Sequence, residues 1–219
     1  YIQQIQKAMP WMKKVRLANS GTEATMHAMR VARAFTGKDK IAKIEGAYHG
    51  ANDYALMSLD MDNRTARRMS GYRPVPYGRG IPKAIADTMA IVPFNDIDAT
   101  AEVLEAGVDE IGGFIVEPVL CGPGVIIPKN NYLKKIRQQT RKLGIVLIFD
   151  EVLTGLRLAR GGAQEYYDVT PDVTCFGKIA GGGFQLAGLG GEAQIMDVLE
   201  PGRGWRHGTF HAGSYNGHP

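Results

Sequence analysis

Cysteine is scarce in this chain: among 219 residues only Cys121 and Cys175 carry thiols. They show no metal-ligand spacing and no disulfide framework, and both stand beside apolar residues. That makes small buried hydrophobes of them and suits a reducing cytoplasm. No apolar run approaches the length of a membrane-crossing helix, and the first residues, YIQQIQKAMPW, lack the apolar core of a secretory signal. No membrane partner is therefore expected, and the sequon-like Asn63-Arg64-Thr65 reads as accidental. Charge of one dominant sign is missing too: 26 Lys and Arg against 22 Asp and Glu leave a formal +4. The one dense basic cluster, Arg64, Arg67, Arg68 and Arg73, lies in a polar stretch and reads as a solvated loop rather than a nucleic-acid groove. Two phosphate signatures are also absent, G-x-x-x-x-G-K-[ST] and a G-x-G-x-x-G after a strand.

What is present is the pattern of one sizeable α/β domain with a real core. Ala24, Ala28, Val31, Ala32 and Phe35 recur at helical spacing and end at Gly37, a C-cap signal. SGTE supplies Ser20 as N-cap and Glu23 three residues on, a capping box. A short strand KIAKIE follows, then a polar excursion whose stretch from Asp60 to Lys83 shows no sustained period and reads as a long loop. From Ile97 strands and helices alternate: a helix near 97 to 106, the strand IGGFIVE, the helix NNYLKKIRQQTRKL ended by Gly144, the apolar run IVLIFDE, then DVTCFGK and AGLGG. This order predicts a largely parallel sheet with helices on both faces and right-handed crossovers. The chain starts without methionine and stops at SYNGHP with no element being completed, which reads as a fragment.

Ligands of open α/β sheets bind outside the carboxyl ends of the strands. Three predicted strands end there in charge: Glu117 after FIV, Asp150 and Glu151 after VLIF, and Lys178 after TCFG. A solvated strand end explains any one of them alone. NSGTEA would face the same edge, and its free N–H groups, the Ser20 and Thr22 hydroxyls and the helix dipole suit a phosphate. Taken locally, Ser20 is equally well a plain N-cap, worth about 1 kcal/mol to its helix. Together, a phosphate cradle, a buried carboxylate, a lysine 28 residues after it and the aromatic of AYHG are the parts of a pyridoxal phosphate site. There a lysine forms a Schiff base and a carboxylate keeps the pyridine nitrogen protonated.

VRLANSGTEATMHAMRVARAFTGKDKIAKIEGAYHG, VPFNDIDA, FIVEPV, LIFDEVLTGLR, GGAQEYYDVTPDVTCFGKIAGGG and SYNGHP, in collinear order over nearly the whole chain, resemble class III, fold type I, pyridoxal-phosphate-dependent aminotransferases. The resemblance is greatest to the glutamate-1-semialdehyde 2,1-aminomutase group. It implies a mostly parallel sheet belonging to a large cofactor-binding domain over residues 1–219, without the amino-terminal segment and small domain of such enzymes.

The same resemblance implies catalytic roles for Lys178, as Schiff-base amine and proton shuttle, and for Asp150, as partner of the pyridine nitrogen. Val152 would pack on one ring face and Tyr48 on the other, with His49 beside it. Ser20, Gly21 and Thr22 would hold the phosphate, and Glu117 would orient the cofactor side. A hydroxyl near the end, Ser214 by its spacing to His-Pro or Thr209 by the GTF wording, would reach the phosphate of a second subunit in a homodimer. Gly181 to Gly183 would let the backbone pass close to cofactor and neighbour. Gln185 and Leu186 depart from the proline and valine usual in the aminomutase group. The implied reaction moves an amino group between an amine or amino acid and a carbonyl compound. Its alternatives are intramolecular conversion of glutamate 1-semialdehyde to 5-aminolevulinate, and a non-catalytic pyridoxal- or phosphate-binding module. No metal is implied.

Overall fold

A computed structural model describes residues 1–59 and 71–217. Arg64, Arg67, Arg68, the sequon and the first part of the predicted excursion loop, residues 60–70, lie outside the described residues. The chain opens with helix α1 (Ile2–Ala8) and strand β1 (Lys14–Ala18), which the sequence patterns did not signal. It continues with α2 (Gly21–Thr36), β2 (Lys40–Ile44), α3 (Lys83–Ala86), β3 (Met89–Val92), α4 (Ile97–Ala106) and β4 (Ile111–Val116). Then come α5 (Tyr132–Leu143), β5 (Val146–Glu151), α6 (Gly162–Tyr167), β6 (Val173–Phe176), a 3-10 turn (Lys178–Gly181) and β7 (Ala187–Gly191).

The seven strands form one sheet in the order β1-β7-β6-β5-β4-β2-β3. Pairs β6-β5, β5-β4, β4-β2 and β2-β3 are parallel, whereas β7 lies antiparallel to both β1 and β6. One reversed strand thus leaves β1 running with the others, so the chain leaving Ala18 emerges at the same edge as the ends of β5 and β6. β4 and β5 are buried along their whole lengths, as continuous apolar runs covered on both faces must be. One core layer sets α2 (Ala28, Val31, Ala32) against Ile115, Ile148 and Leu189; the other sets α5 (Leu133, Ile136) against Phe114, Leu147 and Phe149.

Local chemistry sets the element ends. Gly37 and Gly144 close α2 and α5 in the left-handed conformation, at φ 70° and 66°. Two details differ from the sequence reading. Phe35 is 39% exposed rather than part of the buried stripe. Glu23 accepts from the N–H of Asn19 at 2.9 Å instead of that of Ser20, so the capping box closes one residue early.

Candidate active site

Helix α2 begins where β1 ends. Ser20 Oγ accepts from the N–H of Glu23 at 3.2 Å, which fixes the first turn, whose leading N–H groups, those of Gly21 and Thr22, have no acceptor within the helix. Two bonds tie that turn to the loop after β2: Thr25 Oγ1 donates to the carbonyl of His49 at 2.6 Å, and Ala51 N–H donates to Thr22 Oγ1 at 3.1 Å. Gly50 sits at φ 92°, and a side-chain carbon there would fall 2.6 Å from Thr22 Cα, so the loop and helix touch backbone to backbone. Gly21 lies close to the residue after β5, since a Cβ on it would stand 2.8 Å from the side-chain atom Val152 Cγ1.

At the carboxyl end of β5, Asp150 is buried at 6% exposure. Its Oδ1 accepts from the N–H of Val152 at 3.1 Å, and its Oδ2 lies 2.8 Å from His49 Nδ1. The other ring nitrogen of His49, Nε2, is buried without a hydrogen-bond partner among the described residues. Lys178 follows β6 directly, holds φ 47°, and is exposed with no hydrogen bond or ion pair among the described residues. A non-glycine residue in that conformation costs on the order of 1 kcal/mol and is most often found where a side chain must be aimed.

These groups surround one cavity of about 280 Å³. Ser20, Gly21 and Thr22 are part of its wall, and so are Tyr48, His49, Asp150, Val152 and Lys178. Glu117 does not line it. Its carboxylate accepts from the N–H of Tyr48 at 3.0 Å and of Cys121 at 3.2 Å, so it holds the loop that carries Tyr48 and His49 from behind. Burial pushes the Glu117 carboxyl up, and the charge of Asp150 adds to this, while His49 opposes it. Glu151 turns to the opposite face of β5 and serves α6, accepting from the N–H of Ala163 at 2.6 Å and from the Gln164 amide at 2.9 Å. Three charged strand ends therefore do not converge in one cavity; Asp150 and Lys178 do.

Thr209 and Ser214 lie away from the cavity wall. Thr209 N–H donates to Val198 O at 2.7 Å, and Ser214 is exposed in a terminal turn that Asn216 anchors to Asn19 at 3.1 Å. Gly182 and Gly183, at φ 59° and 97°, serve a turn; among the described residues, their own chain neighbours aside, no atom lies within 4 Å of where their side chains would be. Only Gly181 meets its own chain closely, with Leu186 O 3.1 Å from where a Cβ on it would stand. Sequence reasoning missed Thr25, Gly50 and Leu153 in the wall; the glycine after AYH was the one available signal.

A mostly parallel sheet with its cavity at the strand ends, a helix N-terminus on one side and a strand-end lysine on the other define an α/β transferase domain of fold type I. Residues 1–219 match the family Aminotransferase class-III, and the chain belongs to that family. Among curated proteins, it is 47% identical over 98% of its length to a glutamate-1-semialdehyde 2,1-aminomutase of Methanocella arvoryzae. Among solved structures, it is similar to an omega-transaminase from Sphaerobacter thermophilus, with TM-score 0.87 and 39% identity over 98% of this chain and 48% of that one. A structure described as a transaminase with PLP bound gives TM-score 0.88 and 31% identity over the same shares. The chain spans about half the length of the curated relatives, 48% of the Methanocella protein.

Proposed function

We propose that residues 1–219 are the large cofactor-binding domain of a pyridoxal-phosphate enzyme that transfers an amino group between an amine or amino acid and a carbonyl compound. The observation that carries this reading is the meeting of Lys178, Asp150 and the start of α2 around one cavity. The residues fit the cofactor: close approaches of Gly21 to the Val152 side chain and of Gly50 to the Thr22 backbone, a buried carboxylate and, among the described residues, a buried His49 nitrogen and a lysine amine without hydrogen-bond partners.

When bound, pyridoxal phosphate supplies an aldehyde that condenses with primary amines and a ring that takes up electrons as a proton leaves the neighbouring carbon. Lys178 brings the primary amine to the end of β6, and its Nζ is suited to take that proton and return it at a different atom. Asp150 offers a fixed carboxylate to a ring N–H, with His49 and the Val152 N–H holding its two oxygens. Ser20, Gly21 and Thr22 bind the phosphate through the first turn of α2. Tyr48 and Val152 would pack against the ring, and Glu117 positions Tyr48 through its backbone. Thr209 or Ser214 serves the site of a second copy, which makes the working protein a homodimer. Two free cysteines, one of them fully buried, support a reducing compartment such as the cytoplasm.

Borohydride reduction of the holoprotein followed by peptide mapping tests the reading: the label is expected on Lys178 and is lost, with turnover, in Lys178→Ala. An active Lys178→Ala protein, or a label on another residue, overturns it. The naming of the Methanocella relative favours a second reading, the intramolecular aminomutase. Glutamate 1-semialdehyde offered alone, against an amine with a separate keto acid, separates the two.

A further inference from the structure

The start of α2 serves two neighbours. Asn19, Ser20, Gly21 and Thr22 belong to the cavity wall. The same helix, together with Asn19, also holds residues 210–216. Arg30 Nη1 donates to Phe210 O at 3.2 Å, His27 meets His211 edge to face, and Asn19 Nδ2 donates to Asn216 Oδ1 at 3.1 Å.

Of these attachments, the one made by Asn216 touches a residue of the cavity wall. Asn216 N–H donates to Gly213 O at 3.0 Å and closes a turn around Ser214 and Tyr215. Its side chain folds back on that turn, since a Cβ on Gly213 would stand 2.6 Å from Asn216 Oδ1. The oxygen that receives Asn19 is therefore held by the turn itself. Asn19 in its turn gives its N–H, at 2.9 Å, and its side-chain amide, at 3.3 Å, to the carboxylate of Glu23, whose own N–H is capped by Ser20 Oγ. One chain of hydrogen bonds thus runs from Asn216 through Asn19 and Glu23 to Ser20, at the turn assigned to the phosphate.

An anion taken up by the leading N–H groups of α2 fixes residues 19–23, and residues 213–216 then lose less entropy in docking on them. The converse holds by the same factor, because coupling between two binding events is reciprocal. We infer that Asn216 is a positioning residue that, through Asn19, couples the order of residues 209–216 to occupancy of the phosphate cradle. The inference rests on the phosphate reading of α2 and deepens it.

The test uses the full-length protein, freed of cofactor and then loaded with pyridoxal 5'-phosphate or with pyridoxal, which has the same aldehyde and no phosphate. Hydrogen exchange is followed at the amides of residues 209–216, with those of β4 and β5 reporting an intact fold. Pyridoxal phosphate is expected to slow exchange at residues 209–216 about fivefold or more, and pyridoxal to leave it unchanged. In Asn216→Ala the slowing is lost, and the dissociation constant of pyridoxal phosphate rises by about fivefold or more. Asn216→Asp, which keeps an accepting oxygen, recovers both. Three results overturn the inference: no slowing in the unsubstituted protein, equal slowing by pyridoxal, or slowing that persists in Asn216→Ala. Each leaves the phosphate reading standing so long as pyridoxal phosphate binds more tightly than pyridoxal. Equal affinity for the two overturns the phosphate reading of α2, and the inference with it.

Discussion

Nδ1 of His49 lies 2.8 Å from Oδ2 of Asp150, and both side chains are buried. The contact joins the loop after β2 to the end of β5 across β4, so it sets the height and direction of the Asp150 carboxylate in the cavity. His49→Phe removes it while keeping an aromatic ring of similar shape. The expected result is a fall in kcat/KM of about tenfold to a hundredfold, the range for a hydrogen bond to a charged group, with borohydride labelling of Lys178 retained. Steady-state kinetics beside the labelling assay checks this, and an unchanged kcat/KM would show that Asp150 is held adequately by the Val152 N–H alone.

Gly50→Ala is expected to damage both stability and the phosphate cradle. The residue stands at φ 92°, and the added carbon would come 2.6 Å from Thr22 Cα and Oγ1. Backbone on the far side cannot swing away as a flexible side chain could. A loss of about 2 kcal/mol in urea unfolding is expected, from strain and displacement combined, together with weaker retention of a phosphate-bearing cofactor in equilibrium dialysis. Wild-type stability in this variant would remove the backbone contact from the account of the site.

Acid should weaken the attachment of the terminal segment. His27 on α2 meets His211 edge to face, with ring centres 4.3 Å apart. Burial, then His211 and Arg30, lower the His27 value from 6.5 to about 4, with Glu23 opposing. His211 is lowered by burial, Arg16 and Arg30. The unfolded chain therefore binds protons more readily than the folded one between these values. Stability is fully present above pH 6.5 and is lost as pH falls toward 4. The urea midpoint measured across that window should slope downward toward acid, and His27→Gln should flatten the slope; an equal slope in the variant would refute the assignment.

Glu151 illustrates the opposite face of the same strand. Its buried carboxylate accepts from Thr154 Oγ1, the N–H groups of Ala163 and Gln164, and the Gln164 side chain. Glu151→Leu leaves these donors buried without a partner, and a loss of about 3–5 kcal/mol in chemical unfolding is expected. Glu151→Gln, which keeps an acceptor oxygen, should recover part of it. Lys178 labelling of whatever folded protein remains should be unaffected, since Glu151 faces away from the cavity.

Much of this was readable along the chain because the signals are local. Gly37 and Gly144 stop helices by adopting a left-handed backbone, and α4 and β7 fall on the helix expected near 97 to 106 and on AGLGG. Strand β1 escaped because KVRLA is an edge strand, half-buried except at its last residue, and has too few buried side chains to show an apolar run. The reversal of β7 was equally invisible, because AGLGG, four small residues around one leucine, reads the same in either direction.

The sequence by itself determined the chemistry available: which residue types stand at the strand ends, where α2 begins, and that Lys178 follows Asp150 after one helical crossover. Its motifs also carried the family resemblance. Tertiary structure alone decided which of those residues share a cavity. Successive side chains of a strand point to opposite faces, so Asp150 enters the site while its neighbour Glu151 caps a helix. Residues far apart in sequence, such as His49 and Asp150 or Gly50 and Thr22, acquire their roles only when parallel pairing brings their strand ends to one edge. Pairing and packing are properties of the whole sheet, which no local pattern records.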